Sequence, residues 1–370
     1  MNVQAMPMHR FIDHLGHIVR PLPDWATLSM LTACYQDMVL TRTYDNKAVA
    51  LQRTGKLGTY PSHLGSEAMG IAVGRALQPT DVFIPYYRDL PAMWARGIPL
   101  EKNLQYWGGD ERGSDFTAHD SPSRDLPFCV PIATQCTHAV GVAAALKIQG
   151  HHQAALVTCG DGATSKGDFL ESLNCAGAWN IPLVFVINNN QWAISVPRRI
   201  QSGAEWLADK AKGAGIVGIT VDGNDVVAMY DAVLRALDHA RKGKGATLIE
   251  AISYRLGDHT TADDATRYRS DDELQEAWQY DPISRLKSYL VEQAAWSDAD
   301  ENRLLNRCKE AVEQAVDRYQ ALIPQPPESG FDYLYATPDA DLRRQRDTVI
   351  NKALHMQNVA PDTMQGGKHE

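Results

Sequence analysis

Residues 154–162 read AALVTCGDG, and residues 183–190 read LVFVINNN. Each is an apolar run of strand length that stops abruptly at small or polar residues. The first stops at Gly160-Asp161-Gly162 and the second at Asn188-Asn189-Asn190. Between them Phe169, Leu173 and Ala176 recur at i, i+4 and i+7, which marks one face of a helix. Strand, helix and strand at this length predict a right-handed crossover, with the strands parallel and their C-terminal ends adjacent. Asp161 and Asn190 then meet at the ligand-binding edge of an α/β sheet. A carboxylate and an amide oxygen beside a glycine turn and a helix N-terminus suit a Mg2+ ion carrying a diphosphate. Alone, Gly-Asp-Gly is only a tight turn; the flanking strands and the distant Asn triplet make it informative.

Outward from this unit the same patterning continues. Val82-Phe83-Ile84 reads as another strand, with Tyr87-Arg88 just past its end. Ile216 to Val221 and Thr247 to Ile252 read as two more. Between those two, Asn224 or Asp225 caps a helix whose one face carries Val226, Tyr230, Val233, Leu237 and Ala240. Leu31 to Arg53 has helical spacing. Gln135 to Gln149 predicts a helix of small residues (Ala139, Gly141, Ala143, Ala144, Ala145), suited to close approach against the sheet or a neighbouring helix. Residues 108–128, rich in Gly, Asp, Ser and Pro, read as a surface loop. The organisation expected is an N-terminal arm over 1–30, interrupted by Pro7, Pro21 and Pro23, and a domain over 31–325. That domain is α/β, a mostly parallel sheet flanked by helices, and helical in pattern from Asp281 to Ile323. After the proline-rich 324–328, a polar tail over 326–370 is expected to be partly loose.

Composition excludes several classes. Net charge is −9 with no basic cluster, which gives no support to nucleic-acid binding. No run approaches the roughly 18 apolar residues of a membrane span. Six cysteines (34, 129, 136, 159, 175, 308) contain no Cys-x-x-Cys pair and read as buried thiols in a reducing compartment. Residues 1–25 carry only Arg10 and Arg20 and no apolar core, so no secretory or import leader is expected and a bacterial cytoplasm is.

The stretch from Gly160-Asp161-Gly162-Ala163 through Asn189-Asn190-Gln191-Trp192-Ala193-Ile194-Ser195 resembles the thiamine-diphosphate fingerprint. More narrowly, it resembles the alpha subunit of the decarboxylating component of 2-oxo acid dehydrogenase complexes. The likeness runs from about Gly58 to Arg269, through Gly65-Ser66-Glu67-Ala68, Tyr87-Arg88-Asp89 and Val221-Asp222-Gly223-Asn224-Asp225. It implies a thiamine-diphosphate-binding fold, with Mg2+ held by Asp161, Asn190 and the backbone carbonyl of Trp192. Gly162 and Ala163, opening the helix, would bring backbone N–H groups to the diphosphate. Tyr87 and Arg88 would bind the same group, the arginine as a bidentate fork. Ile132, by itself a core aliphatic residue, would lie near the pyrimidine. His259, in a polar loop past the Thr247–Ile252 strand, would contact the cofactor and carry protons, as an imidazole titrating near neutrality can. That loop, Asp- and Gly-rich, is expected to be mobile until cofactor or partner orders it. His63 is a weaker candidate near the substrate entrance, and His138 reads as an ordinary core or surface histidine.

The resemblance further implies thiamine-diphosphate-dependent oxidative decarboxylation of a 2-oxo acid, with acyl transfer to the lipoyl group of an acyltransferase component. A separate beta subunit would complete the site in a heterotetramer of two alpha and two beta chains, burying part of the small-residue helix. Gly167-Asp168-Phe169 and the loop Asp263 to Arg269 look closer to bacterial pyruvate enzymes, and that likeness implies pyruvate rather than a branched-chain substrate or acetoin. One rival is a transketolase-like enzyme, which lacks the Tyr87-Arg88-Asp89 and His259 features. Another, of a different class, is a non-catalytic scaffold on the same fold. Retention of Asp161, Asn190, Arg88 and His259 argues against it.

Overall fold

The computed structural model describes residues 8–116 and 124–359, so part of the expected 108–128 loop (117–123) lies outside the described residues. Among the described residues seven strands form: β1 (Val82–Ile84), β2 (Ala155–Gly160), β3 (Leu183–Asn189), β4 (Trp192–Ala193), β5 (Val196–Pro197), β6 (Val217–Asp222) and β7 (Thr247–Ile252). Five make one sheet in the order β1-β2-β3-β7-β6, and every pairing in it is parallel. β4 and β5 form a small antiparallel hairpin.

Continuous apolar runs become strands here because both faces of the sheet are covered. Val82, Ile84, Val157, Cys159, Phe185 and Ile187 point into one core, against helices Thr134–Ile148 and Gly167–Trp179. The alternate residues Phe83, Leu156, Val184 and Val186 point into the other, against helices Leu28–Arg53, Glu67–Ala76 and Val226–Arg241. Phe169, Leu173 and Ala176 are fully buried on the predicted helix face. The small-residue helix divides its alanines. Ala139 and Ala143 are buried toward the sheet, while Thr137, His138, Gly141, Ala145 and Ile148 form an exposed face.

Of the two capping candidates the structure selects Asp225. Its Oδ1 accepts from Val227 and Ala228 N–H at 3.0 and 3.3 Å. Its Oδ2 accepts from Phe11 and Ile12 N–H at 2.7 and 2.8 Å, which ties the arm to the domain. His9 also bridges Val221 at the free edge of β6. Helices Pro282–Glu292 and Asp298–Gln320 pack on Leu28–Arg53. Residues up to Gln320 form one compact unit and residues from Ala321 a second. The tail expected to be partly loose carries a helix, Ala340–Val359. Leu342, Val349, Ile350 and Ala353 recur there at helical spacing, a signal hidden by the polar composition around them. No helix among the described residues is long and apolar enough to cross a membrane.

Because one buried carboxylate satisfies four backbone donors, Asp225→Ala is expected to cost about 2–4 kcal/mol, the sum of a lost cap and orphaned N–H groups. Urea denaturation of the two proteins measures it; a loss below the lower bound would mean that the arm finds other anchors.

Candidate active site at the sheet's C-terminal edge

Gly160 pairs with Asn188 across β2 and β3, so the two chains leave the sheet side by side. Asp161 begins a short 3-10 turn, Asp161–Ser165, rather than the helix itself. Lys166 is extended and the α-helix starts only at Gly167, which corrects the expectation that Gly162 and Ala163 open it. Gly162 is required by a close approach: a Cβ there would stand 2.9 Å from Ala193 Cβ. The chain after Asn190 curls back through Gln191 (φ 72) and Ile194 (φ 57) into the β4–β5 hairpin, which brings Trp192 over the turn.

A cavity of about 240 Å3 opens here. Tyr87, Arg88, Ile132, Asp161, Gly162, Ala163, Asn190, Trp192 and His259 all line it, so the residues assigned to metal, cofactor and proton transfer are gathered in one place. His63 is not among them. It is buried beside Asp45 instead. His138 is exposed. Ile132 is 42% exposed and, with Val130 and Ile194, gives the cavity an apolar rim rather than serving as a core residue.

Asp161 is 1% exposed, and its Oδ2 is buried without a hydrogen-bond partner. Burial pushes its carboxyl up to about 6, against the pull of its own N–H, that of Gly162, and the Arg198 and Arg255 charges. Asn190 Oδ1 accepts from Trp192 N–H at 3.2 Å, and Trp192 O accepts from Arg255 Nη1 at 3.5 Å, so each of these oxygens keeps a lone pair. One carboxylate and two neutral oxygens are a hard-cation donor set. Among the described residues no cluster of three or more His, Cys, Asp or Glu side chains offers a metal another site.

Arg88 is buried, unlike most arginines that follow a strand. Nη1 donates to the Ser62 carbonyl, and Nη2 donates to His259 Nδ1 at 3.3 Å and His259 O at 3.1 Å. Tyr87 meets the His259 ring edge-on at 6.3 Å. Since a guanidinium can only donate, His259 Nδ1 accepts and the ring proton sits on Nε2. Burial, then the charges of Arg88 and Arg255, push the imidazole down to about 4, with Asp263 opposing. The imidazole is therefore held neutral as a donor, which corrects the expectation that it titrates near neutrality. Its loop is laced to itself: Asp263 accepts from His259 N–H at 2.9 Å and from Tyr268 Oη, and Asp258 accepts from Ala265 N–H at 3.0 Å.

Sequence reasoning missed two residues. Arg255 is buried and holds the Ile194 carbonyl (2.9 Å) and Tyr268 Oη (2.7 Å), so it braces the hairpin. An arginine at the exit of a buried strand, set between Tyr254 and Tyr268, was the available signal. Gln135 lines the cavity with a buried, unpartnered Oε1 while Nε2 donates to the Thr158 carbonyl.

The His259 imidazole is expected to show no titration above pH 5.5 by carbon-13 NMR, while Arg88→Gln raises its midpoint by removing a neighbouring charge. By linkage, an imidazole depressed to about 4 in the fold takes up its proton later than the unfolded chain, whose midpoint is about 6.5. Stability contributed by this group is therefore full above that value and is lost as pH falls toward 4. A midpoint near 6.5 in the native protein would remove the assigned environment.

Comparison with known proteins identifies the family. The family model described as "Dehydrogenase E1 component" matches residues 35–328. The 3-methyl-2-oxobutanoate dehydrogenase subunit alpha of Mycobacterium tuberculosis (strain ATCC 25618 / H37Rv) is 41% identical over 331 residues, 89% of this chain and 88% of that one. The pyruvate dehydrogenase E1 component subunit alpha of Staphylococcus aureus (strain Mu50) is 38% identical over 348 residues, 93% of each chain. The corresponding Staphylococcus epidermidis subunit is 37% identical over the same length. With most of its length matched, the chain belongs to the dehydrogenase E1 component family, a family of oxidoreductases.

Proposed function

We propose that this chain is the alpha subunit of a thiamine-diphosphate- and Mg2+-dependent 2-oxo acid dehydrogenase, acting on pyruvate and passing the acyl group to a lipoyl-bearing acyltransferase component. The observation that carries the reading is the buried, unpartnered Oδ2 of Asp161 in the same cavity as Asn190, Arg88 and His259. Asp161, Asn190 and the Trp192 carbonyl would hold the metal. Arg88 and Tyr87 would hold the diphosphate, and Gly162 and Ala163 leave room for it beside the backbone. When bound, thiamine diphosphate supplies the electron sink for decarboxylation. His259 keeps its Nε2 proton available to an oxygen in the cavity, and the apolar rim of Val130, Ile132 and Ile194 helps exclude water.

A beta subunit is proposed to close the other side. The cavity mouth is apolar and exposed, and the small-residue face of Thr134–Ile148 is uncovered in the single chain. All six cysteines are free thiols, which fits a bacterial cytoplasm. The 41% identity with the Mycobacterium tuberculosis subunit favours 3-methyl-2-oxobutanoate as a second reading of the substrate. The additional methyl groups of that acid are each worth about 1–3 kcal/mol in discrimination. Comparing kcat/KM for the two acids on the assembled enzyme decides between them.

Asp161→Ala is expected to leave the circular dichroism spectrum unchanged and to abolish Mg2+-dependent thiamine-diphosphate binding in the assembled enzyme, as measured by calorimetry. Retained binding would return Asp161 to a turn-shaping role. The isolated chain is expected to decarboxylate pyruvate negligibly and to gain activity with its beta subunit; full activity alone would instead describe a self-sufficient decarboxylase.

A further inference from the structure

Asp45 stands outside the cavity, on helix Leu28–Arg53, and is 1% exposed. A buried carboxylate is tolerated where its oxygens are hydrogen-bonded. Here the donors share one origin. Tyr60 Oη (2.9 Å), Ser62 Oγ (2.6 Å) and His63 N–H (3.0 Å) all donate to the Asp45 carboxylate, and His63 Nδ1 stands 3.1 Å from it. They belong to a single four-residue segment that neither begins nor ends a helix or strand. Without Asp45 that segment would have little regular structure to hold it.

The same segment carries the active-site loop. Tyr60 and Thr261 exchange two hydrogen bonds of 2.9 Å, from Tyr60 N–H to Thr261 Oγ1 and from Thr261 N–H to the Tyr60 carbonyl. Leu256 N–H donates to the Leu64 carbonyl at 3.2 Å. The loop is thus pinned on both sides of His259. Between these pins the Ser62 carbonyl accepts from Arg88 Nη1, and Arg88 holds the His259 ring and carbonyl through Nη2. Gly65 permits the crossing: its φ is +94°, and a Cβ there would stand 2.2 Å from the Tyr254 carbonyl.

We propose that Asp45 is a positioning residue for the active site, fixing the Tyr60–His63 segment so that the Ser62 carbonyl orients Arg88 and the Leu256–Thr261 loop sets His259 against the cavity. The inference rests on the roles assigned to Arg88 and His259 above. Displacing a catalytic group by about 1 Å can cost up to roughly 100-fold in rate.

The test uses the enzyme assembled with its beta subunit and three variants: Asp45→Asn, Ser62→Ala and His259→Ala. Asp45→Asn keeps the side-chain shape but replaces one acceptor with a donor. It is expected to speed hydrogen–deuterium exchange across residues 256–263 and to lower kcat by roughly 10-fold to 100-fold, with KM for the 2-oxo acid little changed. At saturating thiamine diphosphate and Mg2+, where displacement of Arg88 no longer limits turnover, the same substitution in a His259→Ala background is expected to change kcat by no more than about twofold. Ser62→Ala removes one of the three donors and should move exchange and kcat the same way by less, which keeps the test intact if Asp45→Asn does not assemble. Unchanged exchange in both variants, or losses that multiply in the double variant, would overturn the proposal. Exchange is read without turnover. If His259→Ala leaves turnover at the wild-type rate, the functional reading fails while the exchange measurement still decides whether Asp45 holds the loop.

Discussion

One register governs this molecule: Gly160 opposite Asn188 in adjacent parallel strands. A parallel strand covered on both faces stays apolar along its length and becomes polar only where it leaves the sheet. β2 and β3 make that change at the same level, so their polar residues gather at one edge. Each buried polar group there needs a partner. Asn188 finds Ser66, Tyr86 and Ser253, and Asn189 finds Glu250. Those two asparagines are used up inside the protein. Asn190 spends one lone pair on the Trp192 N–H, and Asp161 leaves Oδ2 with no partner at all. The three asparagines, identical in sequence, therefore divide into two that build the edge and one that keeps a free lone pair at the cavity.

The remaining contacts keep that edge in shape. The hairpin approaches the Asp161 turn only because Gly162 has no side chain, and Arg255 fastens it through the Ile194 carbonyl. On the opposite side Gln201 Nε2 reaches the carbonyls of Asp161 and Gly162 at 3.1 and 3.2 Å and fixes the turn from outside. None of these braces is local in sequence. They form only once the sheet has brought its loops together, so the cavity is a consequence of topology rather than of any one segment.

This explains what the sequence could and could not disclose. Strand runs, the buried face of Gly167–Trp179 and the Asp161–Asn190 pairing are written in short-range periodicity and in the geometry of a crossover. The positive φ of Gln191 and Ile194 belongs to residues without a strong turn preference, so the hairpin was not legible. The neutral state of His259 depends on Arg88, 171 positions away, and on burial that a polar loop does not advertise. Arg88 was legible as a candidate phosphate fork, but its burial was not, because its acceptors, Ser62 O and His259, come from distant segments. In the tail, helical spacing of four apolar residues was outweighed by the charges between them.

The charges at the cavity explain why a cation and an anion would have to enter together. Arg88 brings one positive charge to the lining, His259 is neutral, and Asp161 contributes a negative charge when ionised. A diphosphate alone would meet the Asp161 carboxylate at close range, and like charges in a poorly solvated site repel strongly. A divalent cation alone would find one charged ligand and two carbonyl-type oxygens, too few for the octahedral shell that Mg2+ requires. Each supplies what the other lacks. Diphosphate oxygens would complete the metal's coordination, and the metal would reverse the field that Asp161 imposes on a diphosphate. Burial pushes the Asp161 carboxyl up to about 6, so stabilisation of its charge would fall to an incoming cation.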